Sequence, residues 1–492
     1  MAAVPHLIPA PAHLELTGAA PFRLSSDARI VASDQDIREL AFAAVRVATG
    51  RELPVVGSEP GPCDIAFVPG EAGGESPEGH RIEVGDGGIR VMAGDRAGHL
   101  AAVQTLRQLL LTPEGEEVEV PALRIEDAPR YAYRGAMLDV ARHFFPVDVV
   151  LRLIEHISAF KLNHLHLHLT DDQGWRLEIP EYPELTEAGA ATQVGGGEGG
   201  HYTVDDYRRI VAHGERHGVT VVPEFDMPGH TNAALVAYPA LSPAGYDPRP
   251  YTETEVGFST LDIGPESTYE FIDTVIGRIA AETPGPFVHI GGDEARSAAD
   301  ADFTAFMARA TRIVREHGKT PVAWHETGKC RDLAEGTIGQ YWGYSWEPEE
   351  DAAPGRSFVE QGGRLIMSPS DLVYLDIKPT RDYPIGLTWS APRISLEQAY
   401  RWDPATVLSG VPAGAILGVE APLWTETVQT EGEIDAMFFP RLLAVAERGW
   451  AVEPAEWPQF EAAAQAQGDL FTRLGVSPGP AGKGLARKKW RS

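Results

Sequence analysis

The sequence is poor in cysteine and in basic side chains, and it has no long apolar segment. Only two of its 492 residues are cysteine, Cys63 and Cys330, which excludes a disulfide scaffold and a metal site built from several thiolates. Without a run of about 20 apolar residues, no membrane-spanning segment is expected. Lysine and arginine number 42 against 71 acidic residues, and the net charge of −29 disfavours nucleic acid or an anionic membrane as a partner.

The N-terminus lacks the basic segment and apolar run of an export signal. We therefore expect a cytoplasmic protein, or a secreted one if a signal has been removed. Hydrophobic residues make up 43% and charged residues 23%, a composition typical of a globular protein with a sizeable core. The acidic balance favours a neutral or cationic ligand. The basic residues 486–491 are interpreted as a solvated end.

The chain divides near residue 130 into two regions that differ in their pattern of predicted strands and helices. Residues 1–130 contain one helical stretch, Gly98 to Leu111, and several short β-type segments, which together predict a small α+β domain. The segments are Ile65–Val68, Arg81–Val84 and Gly88–Val91. Glu126–Arg130 is predicted to be a linker, because Pro129 disfavours continuing a regular element. Residues 131–492 are then the second domain, with a C-terminal tail.

From Tyr133 onward, short apolar strands alternate with helical segments. The strands are Gly135–Val140, His164–Leu169, Val219–Phe225, Phe287–Ile290, Pro321–Trp324, Thr337–Trp342, Arg364–Met367 and Ala415–Val419. Between them, segments such as Val147–Phe160 and Val204–His217 carry apolar residues on one helical face. About eight such units over roughly 300 residues predict an α/β fold with a (β/α)₈ TIM barrel, and an open doubly wound sheet is the alternative.

Two adjacent carboxylates, Asp293 and Glu294, follow the fourth of these strands and two glycines. The carboxyl ends of barrel strands are where enzymes of this fold build active sites. Neighbouring carboxylates resist ionising together, so one is expected to keep a proton near neutral pH. For Asp293 alone, a helix N-cap is the alternative. Neighbours on a strand point to opposite faces, which argues against a simple acid–base pair flanking one bond.

Four tryptophans near strand ends, Trp324, Trp342, Trp389 and Trp424, predict a pocket lined by aromatic rings. Such rings suit the apolar faces of a sugar, while carboxylates and arginine bind its hydroxyls. A lone tryptophan would be interpreted as a core residue. A neutral sugar also agrees with the acidic composition.

His164, His166 and His168 alternate along the second strand and share one face. Together with Asp171, Asp172 and His230 they raise the alternative of a metal-dependent hydrolase. The other interpretation, favoured for His164 and His166, is that they satisfy buried polar neighbours inside the barrel. The main interpretation requires neither a metal nor another cofactor.

These residues lie in a series of ordered motifs by which the chain resembles the β-N-acetylhexosaminidases of glycoside hydrolase family 20, particularly those of actinobacteria. The motifs are Arg134–His143, Asn163–Arg176, Pro223–His230, His289–Glu294, Gln340–Trp342 and Glu420–Glu426. The resemblance covers about residues 134 to 450, and the preceding segment looks like the family's small non-catalytic domain.

The resemblance implies an exo-acting enzyme that removes terminal β-linked N-acetylglucosamine, and N-acetylgalactosamine, by substrate-assisted retaining hydrolysis. In that mechanism the 2-acetamido oxygen of the sugar attacks its own anomeric carbon and forms an oxazolinium ion. Glu294 is then the general acid and later the base, while Asp293 binds the acetamido N–H and stabilises the charge. No protein nucleophile is needed, so Asp293 and Glu294 need not flank one bond as an acid–base pair. The opposite directions of neighbouring side chains on a strand are therefore no objection.

Further roles are implied for residues that match the family motifs. Arg142 and Glu426 bind sugar hydroxyls, and Tyr374 directs the acetamido oxygen with Asp376 close by. The tryptophans enclose the sugar and its acetamido methyl group, with Trp389 as an outer wall. Asp171 and His230 form a pair that tunes Glu294. A catalytically silent sugar-binding protein on the same barrel is the remaining alternative, disfavoured by the presence of both carboxylates.

Overall fold

The computed structural model describes residues 4–71, 76–113 and 116–481. The basic residues 486–491, interpreted above as a solvated end, lie outside this part of the chain. The first unit has a mixed sheet and two helices. Its elements are β1 (His13–Leu16), β2 (Phe22–Arg23), β3 (Ile30–Val31), α1 (Gln35–Thr49), β4 (Val55–Val56), β5 (Ile65–Pro69), β6 (His80–Gly85), β7 (Gly88–Ala93), α2 (Arg96–Leu109), β8 (Glu119–Val120) and β9 (Leu123–Asp127).

Seven of these strands form one sheet, in the order β1-β9-β6-β7-β5-β3-β4. Burial alternates along β6 and β7, so one face of the sheet is covered while the other is open. Both helices contribute their apolar stripes to the core on the covered face. The sequence predicted a single helical stretch here, and α1 was missed. Its start is capped by Asp34, whose carboxylate accepts the N–H of Ile37 at 3.0 Å.

The predicted linker is wrong for its first two residues, because β9 continues to Asp127. The backbone of Asp127 pairs with His80 in the sheet. Its carboxylate accepts hydrogen bonds from Lys161 Nζ at 2.7 Å and from Trp450 Nε1 at 2.9 Å, both in the second unit. Sheet pairing and a buried ion pair thus override the turn-forming tendency around Pro129, and Asp127 ties the two units together.

The second unit is a closed barrel of eight parallel strands, as predicted. The barrel strands and their companions are β10 (Tyr133–Asp139), α3 (Val147–Ser158), β11 (His164–His168), β12 (Thr170–Asp171), β13 (Gly174–Trp175), α4 (Glu184–Glu187), α5 (Val204–His217), β14 (Thr220–Glu224), α6 (Asn232–Ala237), α7 (Glu266–Glu282), β15 (Phe287–His289), α8 (Asp300–Glu316), β16 (Thr320–Trp324), β17 (Ile338–Tyr341), α9 (Glu349–Glu360), β18 (Leu365–Met367), α10 (Ser370–Val373), α11 (Leu396–Tyr400) and β19 (Ile416–Leu423). Helices α12 (Glu431–Phe438), α13 (Arg441–Trp450), α14 (Trp457–Ala466) and α15 (Gly468–Leu474) follow.

Closure is complete because β10 pairs with both β11 and β19. Each of the eight predicted strand segments overlaps a barrel strand, so the TIM barrel is confirmed and the open sheet is excluded. One connection departs from the regular pattern: β16 and β17 are joined through a short 3₁₀ turn, His325–Lys329, in place of an α-helix. Predicted helices Val147–Phe160 and Val204–His217 correspond to α3 and α5.

The barrel interior is layered. At its amino end, an apolar cluster closes the bottom and consists of Tyr133, Val222, Val322, Ile338, Ile366 and Leu417. Above it lies a set of buried polar residues, called here the ionic layer: His166, His168, Glu224, His289, Gln340 and Glu420. Gly135 leaves room for this layer, because a Cβ there would lie 2.5 Å from Glu420 Oε2. The carboxyl ends of the strands then open above the layer as the barrel mouth.

Candidate active site at the barrel mouth

Two glycines place Asp293 and Glu294 at the mouth after β15. Gly291 and Gly292 both have positive φ, at 64° and 98°. A Cβ on Gly291 would lie 1.7 Å from Asp226 Oδ1, and one on Gly292 would lie 2.3 Å from Thr327 Oγ1. The chain can therefore turn here only with glycine. The N-cap alternative for Asp293 is wrong, since the next helix, α8, begins at Asp300 after Ala299.

Glu294 is held by two cationic neighbours. His230 Nε2 lies 3.5 Å from Glu294 Oε2, and the Arg296 guanidinium pairs with the other carboxylate oxygen. Burial alone would raise the pKa of Glu294, but the hydrogen bond and charge of His230, with Arg296, hold it below its ordinary value. Glu294 is therefore ionised in the free protein at neutral pH. Its side chain keeps 20% of its surface open towards the mouth.

Asp293 has the opposite electrostatic environment. Burial, together with the charges of Glu326 and Glu294, raises its pKa to about 7. Its partner Asp226 is fully buried, and burial plus the charge of Asp293 raises the pKa of Asp226 well above the ordinary range. One oxygen of Asp293, Oδ1, is buried without a hydrogen-bond partner. Of the two adjacent carboxylates, Asp293 is therefore the one whose protonated form is favoured.

A chain of alternating charges runs from the ionic layer to Glu294. Glu224 Oε2 lies 2.5 Å from His168 Nδ1, and His168 Nε2 lies 2.7 Å from Asp171 Oδ2. Asp171 Oδ1 in turn lies 3.1 Å from His230 Nδ1. Burial opposes a charge on His230, but Asp171 and Asp293 raise its pKa well above the ordinary value, so the ring is cationic. The structure brings the predicted pair Asp171 and His230 directly behind Glu294.

Arg142 joins the same series of charged residues through Asp171. Its guanidinium is 2.8 Å from Asp171 Oδ2 and 3.4 Å from Asp139 Oδ2, and it faces the Trp424 ring at 4.9 Å. The Nε of Arg142 is buried without a partner. Planar and fixed by these contacts, the guanidinium is positioned to donate to a ligand.

The predicted aromatic residues form adjoining walls. Trp342 and Tyr374 stack with ring centroids 6.4 Å apart, and Trp389 stands edge-on to Trp342 at 6.0 Å. Trp324 and Trp424 lie 5.9 Å apart. Trp324 is fully buried and forms the floor, with its Nε1 donating to Glu224 Oε1 at 2.9 Å. These contacts place four tryptophans and one tyrosine around a common space.

Carboxyl groups with raised pKa values mark the far edge of this space. Burial and the charge of Glu426 raise the pKa of Asp376 well above the ordinary range. Burial likewise raises the pKa of Glu426, although Arg142 opposes the shift. Asp376 Oδ1 and Glu426 Oε2 are both buried without partners. Unpaired buried oxygens of this kind are positioned to receive hydrogen bonds from ligand hydroxyls.

Tyr374 is surrounded by negative charge. Burial and the charges of Asp293, Asp376 and Glu326 raise the pKa of its hydroxyl well above the ordinary range. The hydroxyl therefore remains protonated and can donate a hydrogen bond. Every residue predicted for the site thus lies at this mouth or directly behind it.

Three further residues of the site were not predicted. Glu326 accepts the indole N–H of Trp342 at 2.9 Å, Asp226 faces Asp293, and Arg296 faces Glu294. The signal for Glu326 was its place two residues after Trp324, at the end of the fifth strand. Asp226 lay inside the motif Pro223–His230, but nothing in the pattern showed what it faces.

The three histidines of β11 do not converge on one point. His166 lies 2.9 Å from Glu420 and 3.0 Å from Glu224, whereas His168 bridges Glu224 and Asp171. His164 bonds Asn163 Oδ1 at 2.6 Å and stacks on Tyr133. Within the part of the chain that the structure describes, no group with metal-ligand spacing contains two of these three. The three histidines therefore do not share one ligand set, although His168 with Asp171 and Asp226, and His230 with Asp171 and Asp172, have metal-ligand spacing.

A TIM barrel whose mouth combines a carboxylate pair, a fixed arginine and stacked aromatic rings defines a carbohydrate-processing enzyme. The chain belongs to glycosyl hydrolase family 20. The model of the family's catalytic domain matches residues 131–453, and that of its domain 2 matches residues 4–128. The predicted fold, family and class of enzyme are therefore confirmed.

Relatives align over nearly the whole chain. The beta-N-acetylhexosaminidase of Cellulomonas fimi is 40% identical over 477 residues, covering 95% of each chain. The structure of the family 20 enzyme from Streptomyces coelicolor A3(2) is 42% identical, with a TM-score of 0.92 over 98% of this chain and 99% of the other. The Streptomyces plicatus N-acetyl-beta-hexosaminidase, solved in complex with Thio-NAglucal, is 43% identical, with a TM-score of 0.91 over 96% of each chain.

Among the described residues, no helix is both long enough and apolar enough to cross a membrane. The predicted cytoplasmic location stays a prediction.

Proposed function

We propose that this protein is an exo-acting β-N-acetylhexosaminidase that hydrolyses terminal, non-reducing β-linked N-acetylglucosamine and N-acetylgalactosamine. The acetamido oxygen of the sugar attacks the anomeric carbon and forms an oxazolinium ion. Water then hydrolyses this ion, and the product retains the anomeric configuration of the substrate. The observation that carries the proposal is the adjacent pair Asp293 and Glu294, whose pKa values are shifted in opposite directions within one aromatic-walled pocket.

The two carboxylates divide the work. Glu294 opens to the mouth and protonates the leaving oxygen, then removes a proton from water. Asp293, with its unpartnered Oδ1, accepts the acetamido N–H and stabilises the positive charge that grows on the ring. Tyr374, held protonated, donates to the acetamido oxygen and aims it at the anomeric carbon.

Substrate binding is expected to shift the pKa values of this pair. In the free protein Glu294 is ionised, and Asp293 has a pKa of about 7, whereas catalysis needs the reverse arrangement. A hydrogen bond from the acetamido N–H favours ionised Asp293. A leaving group seated at Glu294 excludes water, and this desolvation raises the pKa of Glu294. The sugar therefore creates the reactive protonation state when it binds.

The remaining walls bind the sugar itself. Arg142 and Glu426 hold hydroxyls at the far edge, with Asp376 beside them. The rings of Trp324, Trp342 and Trp424 enclose the acetamido methyl group and one sugar face, as expected for apolar faces with polar rims. Trp389 forms the outer wall. We also propose that residues 1–130 act as a separate supporting unit, joined to the barrel through Asp127.

The test is hydrolysis of a panel of aryl β-glycosides. We expect cleavage of the N-acetylglucosaminide and N-acetylgalactosaminide, and near inertness of the plain glucoside, because the glucoside has no internal nucleophile. An N-acetylglucosamine thiazoline, which resembles the oxazolinium ion, is expected to inhibit tightly. Rapid cleavage of the glucoside, or indifference to the thiazoline, would contradict the mechanism and require a nucleophile on the protein.

A further inference from the structure

Two tryptophans at the barrel mouth stand out by their exposure. Trp389 is 45% exposed and Trp346 is 68% exposed. Among residues 4–71, 76–113 and 116–481, no other tryptophan, tyrosine or phenylalanine is as open to solvent. Single exposed apolar side chains are common and need no explanation. Here, however, both lie in loops that follow the carboxyl ends of neighbouring barrel strands, β17 and β18.

Trp346 is presented by a tightly bonded turn. The N–H of Glu347 donates to the carbonyl of Tyr344 at 3.1 Å, which closes a four-residue turn with Trp346 in its third position. The Tyr344 ring stacks on Trp346 with centroids 5.3 Å apart and an interplanar angle of 26°. The Tyr341 hydroxyl also donates to the Tyr344 carbonyl at 2.9 Å. The exposed ring is therefore part of an ordered platform, which lowers the entropy lost when a ligand binds.

The same short helix supports this turn and the pocket. Ser345 donates through its backbone N–H to Asp371 Oδ1 at 2.9 Å and through its hydroxyl to Asp371 Oδ2 at 2.6 Å. Asp371 lies in α10, three residues before Tyr374. Next to Trp389, Ser390 donates to the carbonyl of Ser370 in the same helix at 2.8 Å. Both exposed tryptophans are thus tied to the element that carries a wall of the pocket.

The platform is close to the pocket along the chain. Trp346 follows the wall residue Trp342 by four positions, and a chain of that length spans at most about 14 Å. Around the turn, Asp371 and Glu347 supply negative charge, and the Glu347 carboxylate accepts a hydrogen bond from Ser409 Oγ at 2.7 Å. Such surroundings disfavour an anionic partner and suit a neutral chain with apolar faces.

We propose that Trp346, stacked on Tyr344, is an outer sugar-binding platform for the leaving-group part of a neutral oligosaccharide. The sugar that is cleaved off occupies the pocket, and the chain behind it passes Trp389 and rests on Trp346. The platform gives the enzyme a preference for longer substrates over disaccharides. This inference rests on the proposed function, because the platform matters only if the pocket holds the terminal sugar.

The experiment is a chain-length series of β-1,4-linked N-acetylglucosamine oligomers, from two to six units, alongside an aryl N-acetylglucosaminide. We expect kcat/KM of the unaltered protein to rise with length. Trp346→Ala is expected to raise KM roughly 3- to 10-fold for the longer oligomers, the size expected of one aromatic contact, and to leave the aryl substrate unchanged. Trp346→Phe keeps an aromatic face and is expected to retain most of the length preference.

Each other outcome decides against the platform. A flat length profile in the unaltered protein, or the same profile in Trp346→Ala, would show that no sugar rests there. An equal loss on oligomers and on the aryl substrate would show that Trp346 acts through the pocket. Failure of the proposed function looks different, because the unaltered protein would then leave even the aryl N-acetylglucosaminide intact.

Discussion

The ionic layer and the barrel mouth above it both contain buried carboxyl groups, but these groups differ in their hydrogen-bond partners and in the direction of their pKa shifts. In the layer, the four carboxylate oxygens of Glu224 and Glu420 each lie within 3.0 Å of a histidine, tryptophan, glutamine or tyrosine donor group. Burial would raise the pKa of both carboxyls, but the neighbouring histidines lower it. At the mouth, Asp293, Asp376 and Glu426 have raised pKa values and one unpartnered oxygen each.

This difference separates structure from function in one barrel. A buried carboxylate with both oxygens paired stabilises a single arrangement of its neighbours. A buried oxygen without a partner carries a desolvation cost that a hydrogen bond from a ligand can offset. The two regions meet at His168, which joins Glu224 to Asp171 and so extends the paired network up to Glu294. The layer therefore serves as the rigid base on which the reactive mouth is held. Four predictions, two of them with a matched control substitution, test this division.

The largest effect is expected from Glu294→Gln at the mouth. The amide keeps the shape but cannot transfer a proton, and general acid catalysis contributes about 10²- to 10⁴-fold. The loss of kcat/KM should be greatest with a disaccharide, whose leaving group is poor, and smaller with an activated aryl glycoside. Steady-state kinetics on both substrates measures it. An equal loss on both would show that Glu294 is not the acid.

Glu224→Gln tests the layer. Removing the Glu224 charge leaves His168 with Asp171 as its remaining carboxylate partner and takes away the charge that faces His166 and His289. Because this breaks a buried charge network, the free energy of unfolding is expected to fall by about 3–5 kcal/mol. Denaturant titration followed by circular dichroism measures the change. The matched control at the mouth is Asp376→Asn, which should leave stability nearly unchanged because burial already favours the neutral carboxyl there. Similar losses in the two variants would break the comparison.

Asp293→Asn removes charge from the mouth but keeps a hydrogen-bonding group. A charge-assisted hydrogen bond is about twice as strong as a neutral one, and here the difference arises mainly in the transition state. We expect kcat to fall roughly 10²-fold with little change in KM. Thiazoline inhibition should weaken in the same variant. A rise in KM with kcat preserved would instead assign Asp293 to ground-state binding.

The sequence predicted the barrel well because its strands are short, apolar and followed by chemically distinctive residues. The eight strands, the glycine-led turn before Asp293 and the tryptophan walls are all local patterns. Helix α1 was missed because half of its buried stripe is alanine, namely Ala41, Ala44 and Ala48, which gives little hydrophobic contrast along the chain. Asp127 was assigned to a linker because its partners Lys161 and Trp450 are distant in sequence.

The sequence could not predict which of the two adjacent carboxylates holds a proton, because the groups that decide this are distant in sequence. The sequence showed that Asp293 and Glu294 would not ionise together, but the choice between them depends on residues from other strands. His230 lowers the pKa of Glu294 from the loop after β14, and Glu326 raises that of Asp293 from the turn after β16. Only the closed barrel brings these side chains within electrostatic reach of one another.

The smallest effect is expected from Glu326→Gln, and it appears in the pH profile. The charge of Glu326 helps to raise the pKa of Asp293, whose ionised form the reaction requires. Without that charge the pKa of Asp293 falls, the ionised form persists to lower pH, and the acidic limb of kcat/KM moves down by roughly 0.5–1 pH unit.

The matched variant Glu326→Ala separates charge from positioning. Glutamine can still accept the indole N–H of Trp342, now held at 2.9 Å, whereas alanine cannot. Both variants should show the same shift of the acidic limb, but only the alanine variant should also raise KM, because Trp342 loses the contact that orients it. If the acidic limb stays in place in both variants, the charge of Glu326 does not raise the pKa of Asp293. The carboxylates at the mouth would then act independently of one another.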